Sequence, residues 1–185
     1  MTPELYILRH GETEWNAENR MQGELNSPLT AKGEKDAIHQ GEILKTLDLE
    51  GFDFLCSPQG RAFQTAGIAL ATIASHIRTD DRLREIGVGD WSGVLRDTLP
   101  APEGKDPFMS HYEIAPNGEG FERLEARCRD FIADLKRPSV LITHGITSRM
   151  LRSLIAGEGA VSVRTIHGGQ GCVYQLKDGV QKLLE

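Results

Sequence analysis

Two spacings of apolar residues take turns along this chain. Runs rich in apolar residues fall at residues 4–8 (ELYIL), 52–56 (FDFLC) and 139–143 (SVLIT), each bounded by charges or turn formers, as buried strands are. Between them the apolar positions recur every three or four residues, the helical period. One helix is predicted from Thr30, an N-cap, to about residue 47, with Ala37, Ile38 and Leu44 on its inner face. A second covers residues 61–75 (RAFQTAGIALATIAS), followed by a short extended piece near 77–79. A third covers 119–136, where Phe121, Leu124, Cys128, Phe131, Ile132 and Leu135 describe one face. A fourth follows residue 145 and runs to about 156, with Gly157 at C′. The final CVYQLKDGVQKLLE reads as a hairpin turning at Asp178-Gly179. Strands alternating with helices place the chain in the α/β class.

Residues 94–120 break the pattern. They hold Pro100, Pro102, Pro107 and Pro116, several glycines and little periodicity, so a loop-rich insertion is expected; loops of that length often act as lids. The 185 residues fit a single domain, 1–185, carrying that lid. A net charge of −6 argues against nucleic acid or an anionic membrane as partner, and no apolar run is long enough for a membrane span. The start, MTPELYIL, lacks a signal-peptide pattern, and Cys56, Cys128 and Cys172 show no metal-ligand spacing. A reduced cytoplasmic protein is expected, with Cys128 in its core; the sequence leaves oligomeric state open. His39, His76, His111 and His167 read as surface or loop residues.

Chemistry gathers at the strand ends. Two apolar strands run into the same dipeptide, His10-Gly11 and His144-Gly145. In open parallel sheets ligands bind beyond the carboxyl ends of the strands. Ser57-Pro58-Gln59-Gly60 delivers Arg61 to a helix start, so neighbouring strands would bring Arg9, His10, Arg61 and His144 into one cleft. Two guanidiniums, two imidazoles and helix N-termini suit a multiply charged oxyanion, phosphate above all. Binding alone does not need two histidines. A neutral imidazole with one nitrogen held by a hydrogen bond is a nucleophile near pH 7, so His10 is the candidate to attack phosphorus. Glu85, near Trp91 in the chain, is the candidate proton donor. No metal or other cofactor is required, because the guanidiniums can neutralise the phosphoryl oxygens.

LRHGETEWN resembles the signature of the histidine phosphatase superfamily, in the branch containing cofactor-dependent phosphoglycerate mutases and related phosphatases (branch 1). NSPLTAKG, CSPQGRAFQTA, LREIGVGDWSG, PNGEGFERLEAR and ITHGITSRMLRSLIAG are similar to further family blocks, in order along most of the chain. The resemblance implies a three-layer α/β/α sandwich on a mostly parallel central sheet. It implies His10 as the phosphorylated nucleophile, with Arg9, Arg61 and His144 on the phosphoryl group and Glu85 as proton donor. Asn16 and the Gly145 amide would also face the phosphate, and Thr13, Gln22 and Gly23 would lie on the substrate side. Asn26, Ser92, Gly120 and Ile146 depart from the family's usual residues without removing a catalytic group.

The leading expectation is a metal-independent phosphomonoester hydrolase working through phosphohistidine on a small phosphorylated metabolite. A cofactor-dependent phosphoglycerate mutase is the alternative; such mutases resemble longer chains with a basic insertion, whereas residues 94–120 offer only Arg96 and Lys105. A metal-dependent hydrolase lacks the accompanying ligand motifs. A non-catalytic phosphate-binding protein would not need both His10 and Glu85. Phe108, His111 and Tyr112 are candidates for contact with the substrate from the roof.

Overall fold

The computed structural model describes residues 2–100, 102–103, 106–157 and 159–185. In chain order the elements are β1 (Leu5–Arg9), α1 (Glu14–Ala17), α2 (Ala31–Lys45), β2 (Asp53–Cys56), α3 (Gly60–Ala69), β3 (Arg78–Thr79), α4 (Pro107–Ile114), α5 (Gly120–Asp134), β4 (Ser139–Thr143), α6 (Gly145–Ile155), β5 (Val173–Lys177) and β6 (Val180–Leu184). Six strands form one sheet in the order β3-β2-β4-β1-β5-β6. β1, β2, β3 and β4 run parallel, while β5 is antiparallel to β1 and β6 to β5.

The two central strands are two of these apolar-rich runs, as burial on both faces requires. Alternation along them sorts the core into two halves. Leu5, Ile7 and Leu141 face Leu124, Cys128, Phe131, Met150 and Leu151 from α5 and α6. Tyr6, Leu8, Val140 and Ile142 face Leu44 of α2 and Ala62, Ala66 and Ala69 of α3. Helices therefore cover both faces, and the fold is a three-layer α/β/α sandwich. Among the described residues no helix is long and apolar enough to cross a membrane.

Register decides where the chemistry falls. Arg9 pairs with Thr143 across the β1–β4 ladder, so His10 and His144 leave the sheet side by side. Cys56 pairs with Ile142, which sets Ser57 beside them. Beyond β1, Gly11 meets the start of α2 at close quarters: a Cβ on Gly11 would stand 2.1 Å from the Gly33 carbonyl oxygen, so a larger residue would push the loop off the helix.

Several expectations need correction. Residues 94–120 are not merely loop: they contain α4, started by Asp106 as N-cap and Pro107 at its first turn, and a 3₁₀ turn at Arg96–Thr98. Pro107, one of the prolines that suggested loop, serves as a helix-start residue. Lys105 lies outside the described residues. Ile38 is 53% exposed, because Gly33, Ala37, Gln40, Gly41 and Leu44 make the buried stripe of α2 and Ile38 sits off it. α3 ends at Ala69, six residues short, and the remainder continues as turns in which Leu70 is still buried. His111 is buried in α4, its ring edge-on to Trp91 at 5.7 Å between centroids. The terminal hairpin turns at Asp178 and Gly179, both at positive φ, as its sequence requires.

Candidate active site

His10, Arg61 and His144 stand together at the carboxyl ends of β1, β2 and β4, and all three are buried. The two imidazole rings lie edge to face with centroids 5.1 Å apart. His10 Nδ1 is 2.7 Å from the carbonyl oxygen of Gly11, which fixes the proton on Nδ1 and leaves Nε2 with its lone pair. Arg61 Nε donates to that Nε2 at 3.3 Å. Burial, followed by the charges of Arg61 and Arg9, pushes His10 well below the ordinary imidazole value, so the ring is neutral at pH 7.

Arg61 is held by the backbone of the loop after α1. Its Nη1 donates to the Leu25 carbonyl at 2.7 Å and its Nη2 to the Gly23 carbonyl at 2.9 Å. Its own amide is capped by Asn26 Oδ1 at 2.7 Å, which shows what the asparagine in NSPLT does. Burial brings this guanidinium down to about 10, still a cation at neutral pH. Arg9 comes off β1 beside it with a buried Nε that has no protein partner.

His144 is the N-cap of α6. Its Nε2 lies 2.7 Å from Ser57 Oγ, and that oxygen accepts the Gln59 amide at 3.2 Å. With the serine proton donated to Nε2, the ring proton resides on Nδ1, a buried donor without a protein partner. Burial leads the causes that keep His144 neutral, with Arg61, His10 and Arg9 adding to it.

Glu85 lies in the turn after β3 and is 8% exposed. The start of α6 packs against it through backbone amides, and Trp91 has its ring against His111. Oε1 accepts the amides of Thr147 and Ile86 at 3.0 and 3.1 Å and lies 3.1 Å from the Thr147 hydroxyl. Oε2 accepts only the Ile146 amide, at 3.1 Å. A Cβ on Gly145 would come within 3.3 Å of the Arg9 guanidinium and 3.6 Å of Oε2, so the glycine lets both groups close on the helix N-terminus. Oε2 is thus the oxygen turned toward Arg9.

The remaining residues expected here divide. Asn16 is half-buried beside the His10 loop. Thr13 and Gln22 are buried and bonded to one another, Gln22 Nε2 donating to Thr13 Oγ1 at 2.6 Å, while Thr13 also caps α1. Gly23 offers its carbonyl to Arg61 and Gln59. These three form one wall, in which the Gly23 carbonyl touches Arg61. Tyr112 reaches the site from α4: its hydroxyl accepts a short hydrogen bond from Arg96, and Phe108 and Tyr112 pack on the Arg96 guanidinium at 4.6 and 4.9 Å. Gln40, Gln59 and Gln170 hold the site's backbone; Gln59 lies within CSPQGRAFQTA, whereas Gln40 and Gln170 carry no signal in the sequence, since a glutamine outside any motif looks like a surface residue. Among the described residues no group of His, Cys, Asp or Glu is arranged to hold a metal ion.

Fold and site together define a mostly parallel α/β enzyme whose strand ends gather histidines and arginines around Nε2 of His10. The chain belongs to the histidine phosphatase superfamily, branch 1, whose family model matches residues 5–181. A relative from Enterobacter sp. (strain 638) named "Probable phosphoglycerate mutase GpmB" is 37% identical over 172 residues, covering 88% of this chain and 79% of the relative. The mycobacterial glucosyl-3-phosphoglycerate phosphatase, solved as a complex with VO3, superposes with a TM-score of 0.83 at 28% identity over 98% of this chain and 96% of that one. The alpha-ribazole phosphatase from Shigella flexneri gives a TM-score of 0.82 at 26% identity over 98% of this chain and 94% of that one.

Proposed function

We propose that this protein is a metal-independent phosphomonoester hydrolase that works through a phosphohistidine. The observation that carries the reading is the geometry of His10: Nδ1 held by the Gly11 carbonyl, and Nε2 turned to the Arg61 guanidinium. In the first half-reaction Nε2 attacks phosphorus, the bond from phosphorus to the ester oxygen breaks, and the leaving alkoxide takes a proton from Glu85 Oε2. In the second, water attacks the phosphohistidine, Glu85 takes the water's proton, and the N–P bond breaks to release phosphate. Arg9, Arg61, the Nδ1 proton of His144, the Asn16 amide and the Gly145 amide surround the phosphoryl oxygens and neutralise their charge. Thr13, Gln22 and Gly23 border the substrate through the wall they form.

The chain acts as one domain, and the segment 94–120 serves as its lid: Tyr112 and Arg96 lie over a site in which His10 is 3% exposed. The substrate is a small phosphorylated metabolite. The three cysteines are free and buried, which supports a reducing compartment, the cytoplasm. A panel of phosphorylated metabolites, assayed with and without chelator for wild type and His10→Ala, tests the reading. Metal-independent turnover by wild type alone is expected; a mutant retaining most activity would remove His10 from its role.

A second reading, a phosphoglycerate mutase, is favoured by the buried Nη1 of Arg96, which has no hydrogen-bond partner among the described residues and would suit a substrate carboxylate. With 3-phosphoglycerate and its bisphosphorylated cofactor, release of inorganic phosphate supports hydrolysis, and appearance of 2-phosphoglycerate supports the mutase.

A further inference from the structure

The sheet stops pairing one residue before the reactive loop begins. β5 pairs with β1 only as far as Leu8, opposite Val173, so the Arg9 carbonyl on that side has lost its ladder donor, and the His10 carbonyl lies one residue beyond the end of β1. Two glutamine side chains donate to these carbonyls. Gln40 Nε2, from α2, donates to the Arg9 carbonyl and to the Cys172 carbonyl, each at 3.0 Å. Gln170 Nε2, from the loop preceding β5, donates to the His10 carbonyl at 3.2 Å and to Asn16 Oδ1 at 3.3 Å. One amino group thus spans the candidate nucleophile and the candidate phosphate ligand, from a residue that lies 160 positions further along the chain than His10.

The Asn16 contact has a directional consequence. Asn16 Oδ1 also accepts the Thr13 amide, at 3.2 Å. With both acceptor directions of the oxygen engaged, the amide cannot flip without losing two bonds, and Nδ2 with its two hydrogens is turned away from Thr13 and Gln170. Thr13 alone, through one long bond, is a weaker restraint on that choice.

We propose that Gln170 is a positioning residue for the phosphoryl site: it fixes the backbone at His10 and presents the Asn16 amino group to the phosphoryl oxygens. The proposal rests on the phosphatase reading above. Gln170 is half-buried, and its amino group bonds to the His10 carbonyl and Asn16 Oδ1. Its two acceptors, not packing, are therefore what a substitution would remove.

A double-mutant cycle separates positioning from general support. Gln170→Met keeps the length of the side chain and removes the donor. Gln170→Glu keeps the shape and turns the donor into an acceptor, a second variant should the first fold poorly. For each, kcat/KM on p-nitrophenyl phosphate and the inhibition constant of orthovanadate are measured, in the native background and with Asn16→Ala. In the native background a loss of about tenfold in kcat/KM and a similar weakening of vanadate are expected; with Asn16→Ala the further loss should be clearly smaller, about threefold, because the bond to Asn16 is already gone and only the bond to the His10 carbonyl remains to be removed. Full additivity of the two substitutions, or a fall in thermal stability with kcat/KM and vanadate inhibition unchanged, would overturn the proposal. Wild type without turnover on any phosphate ester would instead count against the phosphatase reading; vanadate binding, followed by fluorescence, would still test Gln170 in that case.

Discussion

A histidine inside a cluster of arginines stays neutral because protonating it would bury another positive charge. His10 and His144 both sit well below the ordinary imidazole value, burial being the first cause and the guanidiniums the second. Between the lowered folded values and about 6.5, the unfolded chain binds protons that the folded one refuses, so stability rises with pH in that window and is lost as pH falls through it. Denaturant titrations from pH 7 downward should show stability falling below about pH 6.5 by up to roughly 1.4 kcal/mol per pH unit for each ring. His144→Gln should make that dependence shallower; an unchanged slope would mean that His144 is not held neutral. Arg61 is fixed by its fork, with Nη1 and Nη2 on two carbonyls and Nε on His10. Lysine cannot hold that arrangement, so Arg61→Lys should lower kcat/KM by about a hundredfold while the protein stays folded, as initial rates and circular dichroism can establish.

At the scale of elements, α6 does two things with one N-terminus: its first residues carry the amides that hold Glu85, and its N-cap is His144. The segment containing Glu85 is braced from the other side. Arg127 of α5 donates to the carbonyls of Arg82 and Arg84 and pairs with both oxygens of Glu119, which in turn accepts the Gly87 amide. Arg127→Met should therefore cost about 2–4 kcal/mol, seen in urea unfolding, because it strips partners from buried carbonyls and from a partly buried carboxylate. Strands and helix starts were legible in the sequence because apolar period and capping residues act locally: β1 and β4 announce themselves by runs, α2 by Thr30. α4 was not, since prolines and glycines around it resemble loop, and its burial depends on Trp91 and Arg96 from elsewhere. The site divides in the same way. His10 and His144 were legible because each ends a strand, and Arg61 because it follows Ser57-Pro58. Gln40 and Gln170 were not, because a carboxamide outside a motif gains meaning only from the carbonyls that folding brings to it.

For the molecule as a whole, the sheet is the frame, packed between helices by the two halves of the core. Phe131 of α5 is 1% exposed within one half. Phe131→Ala should cost about 3–5 kcal/mol by urea unfolding, since it leaves a cavity under the sheet; a cost below about 1 kcal/mol would show that α5 packs loosely. The frame matters because it fixes the spacing of strand ends on which the chemistry depends. The most direct test of that chemistry is covalent: brief incubation with a radiolabelled phosphate monoester that the enzyme turns over, rapid quenching in base, and isolation of the protein. A labelled peptide containing His10, stable in base and lost in acid, absent from His10→Ala, is the expected result. Label on a different residue, or turnover with no labelled protein at any quench time and full activity in His10→Ala, would contradict the account.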